Sequence, residues 1–240
     1  MADFLISAIL IDTGNVKPAP KGKAVESDFR AMEFLVPFSS FSGSQSYTVA
    51  SLKQKGGNEQ LEDRTKLLQK KKYDLTALGA RDLLRRDYKE YESEKLHIRY
   101  GLSTVPLKLS EWLDRSEIGG KWEKILEKME EWGAERDLDI VGVLTSYMDP
   151  QKGREHLHLI RERKPNGAPL QKLQAVFEEI TKDDTLNLGE LEAGQDLQLK
   201  ASKWEGRVFA YQQRVASATR KQVAPAMKKA IEAVEGQEKL

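Results

Sequence analysis

The sequence predicts a mixed α/β (α+β) fold, in which a sheet of about five strands is flanked by helices. The first observation is a continuous apolar run at 139–148, which is typical of a buried central strand. The second is an amphipathic pattern at 119–137, one helical face of which carries large apolar residues: Trp122, Ile125, Leu126, Met129 and Trp132. The third is order, because helical and strand-like stretches alternate from residue 61 onward.

Two helices and two strands are predicted ahead of that amphipathic helix. Apolar residues have helical spacing at 61–72 and again at 76–86. The stretches 87–92 and 96–107 alternate in the manner of strands, and Pro106 ends the second of them.

Three further strands and two helices are predicted after the central strand. Residues 155–162 alternate again, and 169–181 form an amphipathic helix. Residues 196–202 and 206–213 are predicted to be two more strands. A last helix is predicted from Pro225, since Pro suits the first helical position and a Lys-rich body of small residues follows it.

The chain is predicted to contain a short first piece, a linker and a larger domain. Residues 1–36 include an apolar helix or strand at 3–11 that runs into a strand-end turn, and they hold too little apolar surface to close a core alone. Residues 37–60 are rich in Ser, Gly and Gln, which predicts a linker or long loop. The larger domain therefore spans residues 61–240.

The composition excludes several classes of protein. With 39% hydrophobic residues, 32% charged residues and a net charge of +1, the chain is of the soluble globular type. No apolar run approaches the ~20 residues that a membrane span needs, and the apolar start lacks the basic lead-in of a secretory signal. The absence of cysteine excludes disulfides and thiolate metal sites and fits a cytoplasmic location.

Positive charge is concentrated toward the end of the chain. Residues 197–229 contain eight Lys or Arg against one acid, Glu205. Arg220 and Lys221 stand just before the helix predicted from Pro225, where the helix dipole should repel cations. Two cations at such a place predict an anion site, since an anion would also meet the backbone N–H groups of the helix start. The alternative is that both are ordinary surface cations on a connecting loop.

Three short stretches, in this order, resemble one family: "AILIDTGNV" at 8–16, "LLRRDYKEY" at 83–91 with "IRYGLSTV" after it, and "SATRKQVAP" at 217–225. Together they are similar to the C-terminal part of DHH-family phosphohydrolases, namely fungal-type exopolyphosphatases and the related family II inorganic pyrophosphatases. The resemblance covers nearly the whole chain. It implies that residues 61–240 are a DHH-associated domain of the second type and that residues 1–36 are a remnant of the DHH catalytic domain.

The resemblance also implies site residues. It places Asp12 at a metal-ligand motif, in which an Asp-Thr pair ends a strand and presents a carboxylate to Mg²⁺ or Mn²⁺. It places Lys89 at a phosphate-binding lysine, and Arg220 with Lys221 at an Arg-Lys clamp for substrate phosphates. Thr219 stands where the family usually has Ser, which keeps the hydroxyl. The implied partner is inorganic polyphosphate or pyrophosphate.

The resemblance has one important gap, because the family's Asp-His-His triplet and its earlier metal ligands have no counterpart in this chain. A two-metal site needs several ligands, and Asp12 alone cannot build it. We therefore expect a C-terminal piece with no complete catalytic site, which binds no metal stably and hydrolyses poorly by itself. In the complete enzyme, a metal-activated water would attack the terminal phosphorus while the cations neutralise the phosphoryl charge.

Several residues keep a second interpretation. Asp12 could cap a turn, and Lys89 could balance the acids beside it in a strand. His156 and His158 share one strand face without a third ligand, so exposed positions are favoured over a metal site. Arg154, in the preceding turn, could add to a phosphate-facing rim.

Three functions compete on this basis. The first is the substrate-binding domain of a metal-dependent exopolyphosphatase. The second is a non-catalytic phosphate-polymer binding or regulatory module. The third, nucleic-acid binding, is disfavoured because aromatic residues are not interleaved with the cations of 197–229.

Overall fold

The computed structural model describes residues 1–43, 47–148, 151–163, 165, 167–191 and 203–236. The chain forms two compact units, Met1–Ala77 and Leu78–Leu240. The strand predicted at 196–202 lies outside the described residues. In the described part of the chain, no helix combines the length and the apolar character that crossing a membrane requires.

The smaller unit is built from helices around one core. They are α1 (Ala2–Thr13), α2 (Glu26–Leu35), α3 (Val49–Lys55) and α4 (Glu59–Tyr73), with a 3-10 turn at Val36–Phe38. The core takes buried side chains from all four helices: Ile6, Leu10, Phe29, Met32, Leu52 and Leu61. Helix α1 ends at Gly14, which adopts the left-handed conformation (φ 66°) that favours glycine after a helix.

Two features of this unit differ from the sequence prediction. Asp12 lies in the last turn of α1 rather than at a strand end, because the apolar run is long and buries Ile6 and Leu10 on one helical face. Helix α3 lies within the predicted linker, and its first turn is capped by Thr48, whose side chain accepts a hydrogen bond from the Ser51 N–H. The structure divides the chain after residue 77, whereas the sequence predicted a linker at 37–60.

The larger unit carries a mixed sheet with the strand order β1-β2-β3-β4-β6-β5. The strands are β1 (Tyr88–Glu92), β2 (Arg99–Val105), β3 (Ile140–Thr145), β4 (Arg154–Ile160), β5 (Leu188–Glu190) and β6 (Val208–Gln213). The helices are α5 (Ala80–Arg86), α6 (Leu109–Leu113), α7 (Trp122–Glu135), α8 (Leu170–Ile180) and α9 (Arg220–Gly236). Strands β2 and β3 are parallel, and the other neighbours are antiparallel. The predicted mixed sheet is confirmed, with six described strands instead of about five.

Helices cover both faces of this sheet. Phe177 of α8 and Met227 of α9 share a core cluster with Leu102 of β2. On the opposite face, Trp132 of α7 meets Tyr88 of β1 edge to face, with ring centroids 5.1 Å apart. All five residues of the predicted apolar face of α7 are buried, which confirms that pattern as core.

The predicted exposure of His156 and His158 is wrong. These side chains are 1% and 0% exposed, and every residue of β4 is buried. Strand β4 lies between β3 and β6, and the Phe177 ring covers His158 at a centroid distance of 5.0 Å. An alternating pattern predicts that one face of the strand is exposed to solvent, but here helices cover both faces of β4.

The start of α9 is also different from the prediction. The helix begins at Arg220, and Pro225 lies inside it instead of at its first position. Thr219 and Gln222 explain the earlier start, because the Thr219 N–H donates to the Gln222 side-chain oxygen at 2.9 Å. Val223 and Ala224 are then buried on the inner helical face. Arg220 and Lys221 therefore belong to the first turn of α9.

Candidate functional site

The candidate site is the surface at the start of α9, next to strand β1 in the larger unit. Its backbone donors are partly used by the helix cap. The N–H of Lys221 donates to the Thr219 hydroxyl at 3.3 Å, and the N–H groups of Gln222 and Val223 donate to the Thr219 carbonyl at 2.8 and 3.0 Å. Fewer backbone N–H groups are therefore free at this helix start than the sequence predicted, and side-chain cations supply most of its positive charge.

Arg220 joins the start of α9 to the start of β1. Its Nη2 lies 2.7 Å from Oδ1 of Asp87, and its Nη1 donates to the Asp87 carbonyl at 2.6 Å. Thr104 of β2 adds a longer contact from its hydroxyl oxygen to Nη1, at 3.5 Å. With its side chain 18% exposed, the guanidinium is held in a fixed orientation. Asp87 therefore supplies a carboxylate that offsets the repulsion of Arg220 at the helix start.

Lys89 lies on the same face of the sheet as this ion pair. Asp87 directly precedes β1, and the Thr104 N–H donates to the Asp87 carbonyl at 2.8 Å, which continues the pairing of β1 with β2 by one residue. Lys89 is two residues further on, and side chains two apart in an extended segment share one face. Its register partner in β2 is Leu102, which belongs to the core cluster beneath α9. Two residues of strand correspond to roughly 6.6 Å, so Lys89 starts close to the Asp87–Arg220 pair.

Lys89 and Lys221 are exposed, and neither makes an ion pair with any residue that the structure describes. Together with Arg220 they give this surface three positive charges against the single carboxylate of Asp87. We call these four residues the α9 surface. Its positive excess raises the local concentration of anions, and Asp87 already occupies part of the guanidinium of Arg220.

Asp12 does not extend this site into a metal centre. It is exposed on the last turn of α1, in the smaller unit. Among the described residues, no three His, Cys, Asp or Glu side chains lie close enough together to hold a metal ion. Mg²⁺ and Mn²⁺ prefer several oxygen ligands, so the described residues do not fit the metal pair that the resemblance implies.

The sequence predicted that Arg154 lies in a turn, but in the structure it is a buried residue of a strand. It begins β4, is 8% exposed, and its Nε donates to the carbonyl of Ala216 at 2.9 Å. Burial lowers the pKa of its guanidinium below the usual value.

The two buried histidines are structural and brace the loop that leads into α9. The Nε2 of His156 lies 2.7 Å from the side-chain oxygen of Gln213, and the Nε2 of His158 lies 3.4 Å from the Nδ1 of His156. The amide of Gln213 in turn donates to the carbonyls of Val215 and Ala218. Burial lowers the pKa of His156 to about 4, and burial beside His156 lowers the pKa of His158 well below 6.5. Both rings are therefore neutral near pH 7.

Sequence reasoning missed Asp87 as a member of the site. It stands in the quoted stretch "LLRRDYKEY", directly between a pair of arginines and the strand that carries Lys89. Its partner Arg220 lies 133 residues further along the chain. An acid beside a predicted phosphate-binding lysine is the only local signal that could have indicated a countercharge.

Two comparisons place this chain among known proteins. Residues 66–230 match the family described as the DHHA2 domain. The structure is similar to the crystal structure of a Methanococcus jannaschii putative family II inorganic pyrophosphatase, with 18% sequence identity and a TM-score of 0.47. The alignment covers 96% of this chain and 55% of that chain, so this chain spans about half the length of that protein.

Proposed function

We propose a function that starts from the family to which this chain belongs, the DHHA2 domain family. The larger unit binds the phosphate groups of pyrophosphate or inorganic polyphosphate at the α9 surface. Family membership confirms the predicted DHH-associated domain. The narrower resemblance, to an exopolyphosphatase of the fungal type, stays part of the proposal. Hydrolysis of the phosphoanhydride is proposed for a complete enzyme and not for this polypeptide by itself.

The observation that carries the proposal is the bridge from Arg220 to Asp87. It links the start of α9, which carries Arg220 and Lys221, to the start of β1, which carries Lys89, and so supports one anion site formed by the three cations. Lys89 is far from Arg220 and Lys221 in the sequence, and a shared ligand would explain why the fold brings the three cations to one corner of the larger unit. An anion with several charged oxygens fits such a corner because each cation can approach a different oxygen.

The three cations would act in different ways. Arg220 is held by Asp87 and offers its remaining N–H groups in a fixed direction, which orients a phosphate. Lys89 and Lys221 carry mobile ammonium groups that act as point charges and can follow a phosphate chain. In a complete enzyme, this surface would neutralise charge on the transferred phosphoryl group and on the phosphate that leaves.

The metal-dependent step belongs to the part of the proposal that these residues do not supply. In a complete enzyme, Asp12 is proposed as one of several ligands that would hold Mg²⁺ or Mn²⁺. The alternative function, a non-catalytic phosphate-polymer binding or regulatory module, uses the same three cations. The two functions differ only in whether phosphate is released.

The test is calorimetric titration of the whole chain with pyrophosphate and with polyphosphate. Lys89→Gln and Lys221→Gln should each weaken binding about tenfold, since a hydrogen bond to a charged group contributes ~1.5–3 kcal/mol. Lys229→Gln is the matched control, because it removes an exposed lysine from the same helix away from its first turn. Equal affinities for all three variants and the unchanged chain would refute the α9 surface as the binding site.

Phosphate release should be measured on the same samples with Mg²⁺ or Mn²⁺ present. We expect essentially no release by this polypeptide alone, together with binding at the α9 surface. Brisk release would contradict the expectation that the catalytic part is missing while leaving the binding proposal intact.

A further inference from the structure

A second concave surface lies at the end of the sheet where β4 begins and β6 ends. It is a cleft with a volume of about 480 Å³. We call it the sheet-end cleft. The charged residues that line it are Lys108, Lys152, Arg214 and Glu190. It shares no residue with the α9 surface, so it stands or fails separately from the proposed function.

Most of the charged residues that line this cleft are cations. Lys108 lies over the ring of Tyr147, with its Nζ 4.9 Å from the ring centroid. Within the described residues, neither Lys108 nor Lys152 nor Arg214 makes an ion pair. Three cations around one hollow repel one another, and this repulsion disfavours the empty cleft.

A fourth cation stands behind the wall of the cleft. Arg154 is 8% exposed, and its Nε donates to the carbonyl of Ala216, which lines the cleft. Arg154 makes no ion pair with a carboxylate in the described part of the chain. Buried charges are normally paired, and an unpaired one acts through a medium that screens less than water does. Arg154 therefore adds positive potential to the cleft.

Two carboxyl groups close to Lys108 accept backbone hydrogen bonds at the start of α6 and add negative charge beside the cleft. Glu111 accepts the N–H of Lys108 at 2.8 Å, and the buried carboxylate of Glu155 accepts the N–H of Leu109 at 2.8 Å. Among the described residues that line the cleft, Glu190 is the one acid. With Glu111 and Glu155 counted beside Glu190, the four cations, Arg154 included, outnumber the described carboxyl groups of this region by one.

Arg214 is seated by the glycine beneath it. A Cβ added to Gly189 of β5 would lie 2.8 Å from Nη2 of Arg214 and 3.1 Å from its Cζ. The absence of a side chain at residue 189 lets the guanidinium lie flat against the edge strand. A planar guanidinium at the edge of the cleft suits two oxygens of one phosphate.

We propose that the sheet-end cleft is a second anion site, which takes a compound with two or more linked phosphate groups. Recognition is by charge and not by stacking, because Lys108 already covers the Tyr147 ring and Gly153 packs against its hydroxyl end, where an added Cβ would lie 2.3 Å from Cζ. A plain phosphate chain therefore suits the cleft, whereas a nucleobase finds no open aromatic face there.

Sodium tripolyphosphate is the probe, titrated calorimetrically into the whole chain that carries Lys89→Gln and Lys221→Gln. In this background the α9 surface is weakened, and we expect one binding event to remain. Adding Lys152→Gln with Arg214→Gln should weaken that event roughly a hundredfold, about tenfold for each cation. The matched control adds Lys124→Gln with Lys128→Gln, which removes the same charge from the exposed side of α7.

Gly189→Ala tests the geometry without any change in charge. It should weaken tripolyphosphate binding several-fold, because the new methyl group displaces the guanidinium of Arg214. Circular dichroism on each variant shows that the fold is kept. ATP should bind no more tightly than tripolyphosphate, and tighter ATP binding by tenfold or more would overturn recognition by charge alone.

The results separate the two proposals. If the cleft variants lose the remaining event and the α7 control keeps it, the cleft is a phosphate site, whatever the α9 surface does. If the cleft variants and the α7 control bind tripolyphosphate equally well, the cleft proposal is wrong, even where Lys89 and Lys221 prove essential for pyrophosphate.

Discussion

Acid should destabilise this protein through its buried histidine pair before most carboxylates are protonated. His156 and His158 are buried in β4, and their hydrogen bonds run through Gln213 to the loop before α9. Protonating His156 places a charge beside Arg154, whose positive charge already lowers the pKa of His156. It also removes the acceptor that His158 uses, since Nδ1 of His156 would then carry a proton.

The magnitude follows from the pKa of His156. Its pKa is about 4 in the folded protein and about 6.5 in the unfolded chain, so the unfolded chain binds more protons between these values. The contribution of His156 to the free energy of unfolding is therefore complete above pH 6.5, and it is lost as the pH falls toward 4. At about 1.4 kcal/mol for each pKa unit, His156 alone accounts for ~3 kcal/mol. His158, whose pKa is also lowered, acts in the same direction.

The assay is urea unfolding at several pH values between 7 and 4, for the unchanged chain and for His156→Gln. A glutamine can still donate to Gln213 but has no proton to gain, so the variant, which keeps His158, should lose ~3 kcal/mol less stability than the unchanged chain as the pH falls to 4. Burial raises the pKa of Glu155, which acts in the opposite direction, but this residue is present in both proteins and cancels in the difference. Parallel stability curves for the two proteins would refute the reasoning.

Two more predictions concern the sheet and its α9 surface. Asp87→Asn should raise pyrophosphate affinity several-fold, because it removes the carboxylate that competes for Arg220. Affinity is measured by calorimetry, and weaker binding would show instead that Asp87 positions the guanidinium. Gly101→Ala should lower the free energy of unfolding by ~1–3 kcal/mol, since the new Cβ would lie 2.5 Å from the Tyr88 hydroxyl and 2.7 Å from a Leu138 methyl. Gly236→Ala, which meets nothing within 4 Å, is its control in the same denaturant titration, and equal stabilities would contradict the overpacking argument.

The larger unit was more predictable from the sequence than the smaller one, for a physical reason. Strand β3 is apolar along its whole length, and helix α7 has one clear apolar face. Each of these patterns can be recognised from residues that are close together in the sequence. The run at the start of α1 is apolar nearly all round, so its period could not distinguish helix from strand. Helix α3 depends on a cap at Thr48 in a stretch whose composition favours a loop.

The candidate site was predicted only in part. The quoted stretches named Lys89, Arg220 and Lys221, and they also contained Asp87 without indicating its role. The ion pair between Asp87 and Arg220 joins residues that are 133 positions apart, and no pattern in the sequence indicates that they come into contact. The sheet-end cleft was missed for the same reason, because Lys108, Lys152 and Arg214 meet only after β4 and β6 pair.

The sequence by itself determined the local periods, and so the mixed sheet, the helices on its faces and the identity of the cations that could meet a phosphate. Only the tertiary structure decided which of those charges are paired, which are buried and which share a hollow. Periodicity is a property of neighbours along the chain, whereas electrostatic environment depends on distances between residues that folding alone brings together.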